Sequence, residues 1–209
     1  MSSKDYFKEV AGEWDEMRQN FFSDSLRDKA ISLASPAPNT LAVDVGAGTG
    51  FITEGLLKMG ISTIAIDEST EMLEALKEKF KDYSYIECRT GESKKLPVSD
   101  YTVDYVFANM YLHHVPSPAD AIQEMVRILK PEGKLIITDL DEHNFSFLIE
   151  EHHDRWMGFQ RDDVLRWFNS AGLEDVQVNC VGESCCAESC GNSTKASISI
   201  FIASGVKKL

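Results

Sequence analysis

The sequence predicts an α/β fold built around a parallel sheet, because short apolar runs alternate with amphipathic stretches along the chain. Leu41–Val45 and Thr63–Ile66 are apolar runs with the length of buried strands. Each is followed by an amphipathic segment with helical spacing, Ile52–Met59 and Met72–Phe80 respectively. The chain has 209 residues, a length that fits one domain.

The same alternation continues through the middle of the chain. Tyr83–Glu87, Val103–Ala108 and Lys134–Asp139 are predicted strands. Ala119–Leu129 is predicted to be the helix before the last of them, because its apolar residues recur at spacings of three and four.

Both ends of the chain carry further elements. Tyr6–Asn20 and Ser25–Ala34 are predicted to form two helices ahead of the first strand. Asp162–Ala171 is predicted to form a late helix. Val176–Val181 and Ala196–Ala203 are predicted strands of a terminal hairpin, with the cysteine-bearing segment as its loop.

Composition limits the partners and the compartment. The chain has 34 Asp and Glu against 21 Lys and Arg, and its net charge of −13 opposes binding to nucleic acid or to an anionic membrane surface. It has neither a signal-like start nor about 18 consecutive apolar residues. Five cysteines are too few for a disulfide scaffold. We therefore expect a soluble, cytoplasmic protein with reduced thiols.

A glycine-rich turn is the most informative segment. Residues 43–51 read VDVGAGTGF, an apolar strand that leads through glycines into a predicted helix. Glycines let a ligand approach the backbone N–H groups at the start of that helix. Asp67 lies 21 positions after Gly46, at the end of the second strand, where a carboxylate can accept hydrogen bonds from ribose hydroxyls. The pattern predicts a nucleotide-type cofactor.

Details of the turn separate two cofactor classes. A dinucleotide site, as in a nicotinamide oxidoreductase, usually has glycines spaced G-x-G-x-x-G. Here the spacing is G-x-G-x-G, with Asp44 two residues ahead of it. This segment resembles motif I of class I S-adenosylmethionine-dependent methyltransferases.

Four later segments extend the resemblance to this family along the chain. In order, they resemble the family's ribose-binding acid, its G-D-A-x-x-L-P segment, its fourth strand with the following loop, and its R-x-L-K-P-G-G hallmark. In this sequence they are Ile66-Asp67, residues 91–97 (GESKKLP), residues 103–115 (VDYVFANMYLHHV) and residues 127–135 (RILKPEGKL). The resemblance, to the methyltransferase type 11 and ubiquinone-menaquinone methyltransferase-like branch, implies a Rossmann-like, doubly wound sheet of seven strands. That sheet is mostly parallel, its last strand is antiparallel, and a helical cap precedes it.

The resemblance also implies the organisation of the chain. Residues 1–209 are expected to form a single methyltransferase domain. Residues 1–38 would be the N-terminal helical cap, residues 40–140 the cofactor-binding core, and residues 141–209 the substrate-side segment and terminal hairpin. The expected assembly is a monomer or a homodimer.

S-adenosylmethionine is the cofactor that this resemblance implies. Gly46, Ala47 and Gly48 would contact its methionine part through the backbone, Asp67 its ribose, and Glu92 its adenine amino group. The full set of expected cofactor-binding residues is Asp44, Gly46, Ala47, Gly48, Asp67, Glu68, Gly91, Glu92, Ser93 and Asn109.

Histidines are the candidate bases, since methyl transfer needs a base when the nucleophile starts protonated. The candidates are His113 and His114, which follow the fourth strand, and His143, His152 and His153 in a histidine- and aromatic-rich segment, residues 141–160; His114, His143 and His153 are the ones we select. That segment, with the early W-D-x-x-R of residues 14–18, resembles a methyltransferase subgroup of which some members are fused to metalloid-responsive regulators. Its aromatic residues either close over an acceptor or cap a core edge.

The cysteine-rich segment leaves alternatives open. Cys180, Cys185, Cys186 and Cys190 are candidate ligands of a soft metal or metalloid, although their spacing is not that of a zinc ribbon. The other interpretation is that they are ordinary strand or loop cysteines.

The predicted function is methyl transfer to a small-molecule acceptor with an O, N, C or S nucleophile. The alternatives are a thiol or metalloid methyltransferase that uses the cysteine cluster, and a non-enzymatic metal-binding sensor on the same fold. DNA-base methylation is disfavoured, because Asn109-Met110-Tyr111 lacks both prolines of N-P-P-Y and the chain is acidic.

Overall fold

The computed structural model describes residues 3–189 and 194–209, and within them seven strands form one sheet. In chain order the strands are β1 (Leu41–Val45), β2 (Ser62–Asp67), β3 (Ile86–Thr90), β4 (Val103–Asn109), β5 (Leu129–Leu140), β6 (Leu173–Glu188) and β7 (Lys195–Lys207). Their spatial order is β3-β2-β1-β4-β5-β7-β6. Strands β1 to β5 are parallel, and β7 runs antiparallel to both of its neighbours. The predicted sheet is confirmed.

Helices cover both faces of the sheet. They are α1 (Ser3–Val10), α2 (Trp14–Arg18), α3 (Asp24–Ala34), α4 (Phe51–Lys58), α5 (Thr70–Lys79), α6 (Pro118–Ile128), α7 (Phe147–Glu151) and α8 (Arg161–Ser170). Local chemistry explains several starts: Ser69 accepts a hydrogen bond from the N–H of Met72 at α5, and Pro118 occupies the first turn of α6. In the described residues, no helix is both long and apolar enough to cross a membrane.

The core has two halves because side chains along a strand alternate between faces. Val106 of β4 packs in the cluster that contains α6 and α8, whereas the next residue, Phe107, packs in the cluster with α3 and α4. Fully buried phenylalanines lie in both halves, among them Phe107 and Phe168. Burial of each such ring contributes about 1.5–3 kcal/mol.

The parallel register determines where the site lies. Val45 of β1 is opposite Ile66 of β2 and Ala108 of β4. The carboxyl ends of these three central strands therefore lie side by side, at the edge where open α/β sheets bind ligands.

Two predicted boundaries were wrong near the N-terminus and at β3. The predicted helix Tyr6–Asn20 is two short helices, separated by a turn over residues 11–13 that contains Gly12. Strand β3 begins at Ile86 rather than Tyr83, because the Tyr83 and Tyr85 rings pack against each other and the Tyr85 hydroxyl donates to the Leu57 carbonyl.

The terminal hairpin forms, but the cysteine-bearing segment is not its loop. Strand β6 continues to Glu188, and Cys180, Cys185 and Cys186 pair with residues of β7. Pairing with β7 overrides the loop-like composition, and a bulge between residues 180 and 184 accommodates Gly182 at φ +81°. Cys190 lies outside the described residues.

Lys207 joins the last strand to the end of α6. Its Nζ donates to the carbonyls of Val126 at 2.6 Å and Leu129 at 2.8 Å. We expect Lys207→Met to lower the free energy of unfolding by about 1–2 kcal/mol, since carbonyls at a helix C-terminus favour a cation. Urea denaturation measures this, with the exposed Lys208→Met as the matched control. Equal effects of the two substitutions would contradict the role of Lys207.

Candidate active site

The glycine turn between β1 and α4 adopts a backbone that favours glycine. Gly46, Gly48 and Gly50 have φ values of +69°, +52° and +92°. The N–H groups of Gly46 and Ala47 donate to the Ile66 carbonyl at 2.9 and 3.0 Å, which anchors the turn to the end of β2. A side chain at position 46 would overlap the Tyr111 ring.

Asp67 at the end of β2 holds the turn from the other side. One carboxylate oxygen accepts from the Gly48 N–H and the other from the Ser69 N–H, both at 2.8 Å. Burial raises the pKa of Asp67 to about 6. Each carboxylate oxygen has two acceptor positions, so one on each oxygen is left for further hydrogen bonds from a ligand's hydroxyls.

Asp44 is buried beneath the turn. Its Oδ2 accepts from the backbone N–H of Thr53 at 3.0 Å and from the Thr53 hydroxyl at 2.7 Å. Burial raises the pKa of Asp44 to about 6. The carboxylate therefore fastens β1 to α4, a structural role that the sequence did not indicate.

A cavity opens at the ends of β1, β2 and β4. Eight of the ten predicted cofactor-binding residues line it: Asp44, Gly46, Ala47, Gly48, Asp67, Glu68, Gly91 and Asn109. Glu92 and Ser93 are not among its lining residues. We call it the cofactor cavity.

The two N-terminal helices close one side of the cofactor cavity with the rings of Phe7 and Trp14. Asp15 holds α2 in place, because it accepts from the Thr49 hydroxyl and from Lys79 Nζ, both at 2.6 Å. Burial by itself would raise the pKa of Asp15, but the hydrogen bonds from Lys79 and Thr49 outweigh that effect and lower the pKa.

Arg18 is a buried cation beside this cavity that the sequence analysis did not select. Its guanidinium carbon lies 4.3 Å from the centroid of the Phe51 ring, and both Phe51 and Phe22, which it also contacts, line the cavity. Nε and Nη1 of Arg18 are buried without a hydrogen-bond partner. The early W-D-x-x-R pattern was the available signal.

A second cavity adjoins the first. The two share a wall made of Phe7, Trp14, Phe22, Met110 and His114. The rest of the second lining is largely apolar or aromatic and includes Leu140, Leu148, Tyr6, Phe21 and Cys185. We call it the acceptor cavity.

Two histidines and two carboxylates meet at one end of the acceptor cavity. His113 Nδ1 lies 2.6 Å from Asp139 Oδ1, and Asp154 Oδ1 lies 3.8 Å from His113 Nε2 and from His114 Nδ1. Burial disfavours the charged His113 ring, but the two carboxylates outweigh it and raise the His113 pKa to about 9. Burial, together with the neighbouring His113 charge, holds the His114 pKa well below its usual value.

The other predicted bases lie elsewhere. Neither His143 nor His153 lines either cavity. His143 accepts from the N–H of Phe145, and its buried Nε2 has no hydrogen-bond partner. The His153 ring contacts the Tyr6 ring, with centroids 5.5 Å apart. His152, a further candidate from the same segment, does line the acceptor cavity.

The structure separates the cysteines that the sequence grouped. Cys185 and Cys186 are neighbours on β6, so their side chains point to opposite faces. Cys185 faces the acceptor cavity, where burial raises its thiol pKa to about 12, whereas Cys186 and Cys180 are exposed. Within residues 3–189 and 194–209, no three of the cysteines form a potential metal-binding group.

Comparison with known proteins identifies the family. Residues 43–137 match the sequence model of the methyltransferase domain family. The 2-methyl-6-phytyl-1,4-hydroquinone methyltransferase of Arabidopsis thaliana chloroplasts is 32% identical over 168 residues, which cover 77% of this chain and 48% of that protein. The demethylmenaquinone methyltransferase of Renibacterium salmoninarum is 31% identical over 120 residues, 57% of this chain and 49% of that protein.

A solved structure supports the fold over nearly the whole chain. It is a putative methyltransferase of Haloferax volcanii in complex with the Trm112 methyltransferase activator. The two chains superpose with a TM-score of 0.81 at 18% sequence identity, and the match covers 97% of this chain and 98% of that one. The chain spans about half the length of the curated relatives that it matches. The fold, the glycine turn and these similarities show that the chain belongs to the class I S-adenosylmethionine-dependent methyltransferases.

Proposed function

We propose that the protein transfers a methyl group from S-adenosylmethionine to a small hydroquinone-type acceptor. The observation that carries this proposal is the pair of adjoining cavities that share a wall, one lined at the strand ends by the glycine turn and Asp67, and one lined largely by apolar and aromatic side chains. The cap of residues 1–38 contributes Phe7 and Trp14 to that wall, residues 40–140 the cofactor cavity, and residues 141–209 much of the acceptor cavity.

The residues of the cofactor cavity fit the cofactor that this family uses. S-adenosylmethionine supplies an electrophilic methyl group on a sulfonium sulfur. Asp67 accepts the ribose hydroxyls, and the glycine turn leaves room for the methionine part. Nη2 of Arg18 pairs with Asp24 at 3.4 Å, and its unpartnered Nε and Nη1 groups, beside the Phe22 and Phe51 rings of the cavity wall, bind the methionine carboxylate.

The acceptor cavity suits an uncharged aromatic ring. Tyr6, Phe21 and Leu148 provide apolar and aromatic contacts. Among the described residues, neither Lys nor Arg lines the acceptor cavity, so that cavity offers no Lys or Arg to a phosphorylated acceptor. The names of two relatives specify a phytyl-substituted hydroquinone and demethylmenaquinone, whose hydroquinone and quinone ring types are related by reduction and have this ring chemistry.

His114 lies at the junction and is the histidine that we propose for proton removal. It lines both cavities, and its buried Nδ1 has no hydrogen-bond partner. That nitrogen accepts the hydroxyl proton of the acceptor while the Phe7 and Trp14 rings exclude water. His143 and His153 lie outside both cavities, so we propose no such role for them.

The Arg18 proposal predicts a binding defect. We expect Arg18→Met to weaken S-adenosylhomocysteine binding by about 1.5–3 kcal/mol, the range for hydrogen bonds to charged groups. Isothermal titration calorimetry measures this loss, and the exposed Arg166→Met serves as the control. Unchanged affinity in a folded Arg18→Met protein would contradict the assignment.

The raised pKa of Asp67 predicts a pH-dependent stability. Asp67 titrates near pH 6 in the folded protein, above its ordinary value of 3.8, so between these values the folded state binds the extra proton. The stability of the wild type relative to Asp67→Asn should therefore rise by about 1–2 kcal/mol as pH falls from about 7.5 to 4.5.

Urea denaturation of the unliganded proteins at both pH values measures this difference. The exposed Glu74→Gln serves as the control, for which the difference should stay constant. If the free energy of unfolding of the wild type relative to Asp67→Asn stayed constant or fell as the pH decreased, the raised pKa of Asp67 would be contradicted. At the higher pH, Asp67→Asn should also bind S-adenosylhomocysteine more weakly, by about 1–3 kcal/mol.

Adjacent cysteines provide a matched test of the acceptor cavity. Cys185→Phe should fill the cavity and abolish methyl transfer to alkylated hydroquinones, whereas Cys186→Phe, on the opposite exposed face, should not. Release of S-adenosylhomocysteine is the readout, and calorimetry confirms that cofactor binding persists. Turnover with thiols or arsenite but with no hydroquinone would refute the proposed acceptor class.

A further inference from the structure

We propose that His113, His114 and Asp154 bind a divalent transition-metal ion of the Zn²⁺ class at the end of the acceptor cavity. The proposal rests on the proposed function, because the ion would hold the acceptor's hydroxyl oxygen. Among the described residues these three are the one group whose ligand atoms all lie within 4.8 Å of one another.

The distances are close to those of a filled site. Asp154 Oδ1 lies 3.8 Å from His113 Nε2 and 3.8 Å from His114 Nδ1. Ligand atoms at about 2.1 Å from a tetrahedral Zn²⁺ are about 3.4 Å apart. The two distances from Asp154 therefore exceed this spacing by only about 0.4 Å, and all three ligand atoms lie within 4.8 Å of one another.

Asp139 orients the first ligand. Its Oδ1 accepts from His113 Nδ1, which leaves Nε2 of the same ring facing Asp154. The other oxygen, Oδ2, accepts from the N–H groups of Tyr111 and Leu112 at 3.1 and 2.8 Å. A carboxylate behind a histidine ligand is the usual arrangement that fixes the ring in protein metal sites.

The second ligand atom, His114 Nδ1, is buried and has no hydrogen-bond partner. Such an unpaired buried nitrogen is unfavourable unless something binds it. In the metal-free protein it can accept a proton, as proposed above, and in the loaded protein it is a ligand.

The third ligand is held against the other two by the backbone. The N–H groups of Arg155 and Trp156, which follow Asp154, donate to the His113 carbonyl at 2.9 and 3.2 Å. The two histidines lie together in a 3-10 helix, Leu112–His114, directly after β4. Asp154 and Asp139 carry two carboxylates within this small buried group, which favours a divalent cation.

All three ligands line the acceptor cavity, so a bound ion would have a coordination position open to that cavity. Three protein ligands with an open position are typical of catalytic zinc sites, and two histidines with one carboxylate also suit Fe²⁺. Coordination of the acceptor's hydroxyl would release its proton to solvent. A lone pair of that oxygen would then form the bond to the methyl carbon, while the S–CH₃ bond breaks and its electron pair stays on sulfur.

Metal binding is testable without any activity assay. Untagged protein, purified without chelator, is analysed for metal content and then titrated with Zn²⁺ by calorimetry and with Co²⁺ by visible absorption. We expect about one ion per chain and a d–d band typical of a four- or five-coordinate Co²⁺ site.

Variants separate the site from adventitious binding. His114→Ala and Asp154→Asn should lower the Zn²⁺ affinity at least ~100-fold, and Asp139→Asn, which alters a positioning residue, about 10–100-fold. His152→Ala is the control, because His152 lines the same cavity outside the group and should leave the affinity unchanged. Circular dichroism confirms that each variant is folded.

Two outcomes would overturn the inference: no binding of Zn²⁺ or Co²⁺ by folded wild-type protein, or equal affinity in wild type, His114→Ala and Asp154→Asn. Titration with S-adenosylhomocysteine is run in parallel. Cofactor binding without metal binding would refute the metal site alone, whereas metal binding without cofactor binding would refute the proposed methyl transfer and leave the ion-binding residues established.

Discussion

The buried carboxylate of Asp139 is the group on which the geometry between the two cavities depends. It accepts hydrogen bonds from the N–H groups of Tyr111, Leu112 and Leu140 and from the His113 ring. These bonds connect the end of β5 to the chain that leaves β4. A fully buried carboxylate persists when it is hydrogen-bonded in this way, and the result is a fixed position for the residues that follow β4.

The two cavities divide the recognition of two chemically different molecules. The cofactor cavity presents the glycine turn and the Asp67 carboxylate at the strand ends, where open α/β sheets bind ligands. The acceptor cavity is built from the N-terminal helices and from residues after β5, which bring aromatic and apolar side chains. Their shared wall, which includes His114, is where donor and acceptor would meet.

Several polar and charged side chains at this site are buried at a cost in free energy relative to water. Burial raises the pKa of both Asp44 and Asp67 to about 6, and Arg18 and His114 carry buried nitrogen atoms without partners. Such costs concentrate where a ligand supplies the missing partners. Despite these costs, the salt bridge between Asp15 and Lys79 and the hydrogen bond from Thr49 to Asp15 help to keep the N-terminal helices in place.

Local sequence patterns determined the parallel sheet, the glycine turn and the acid after β2, because each depends on residues close together in the chain. The hairpin strands were predicted too short and Cys185 was placed in a loop, since pairing with β7 is a long-range interaction. Only the tertiary structure decided which histidines matter. His113 and Asp154 are 41 positions apart, and their approach depends on backbone hydrogen bonds that no local periodicity encodes.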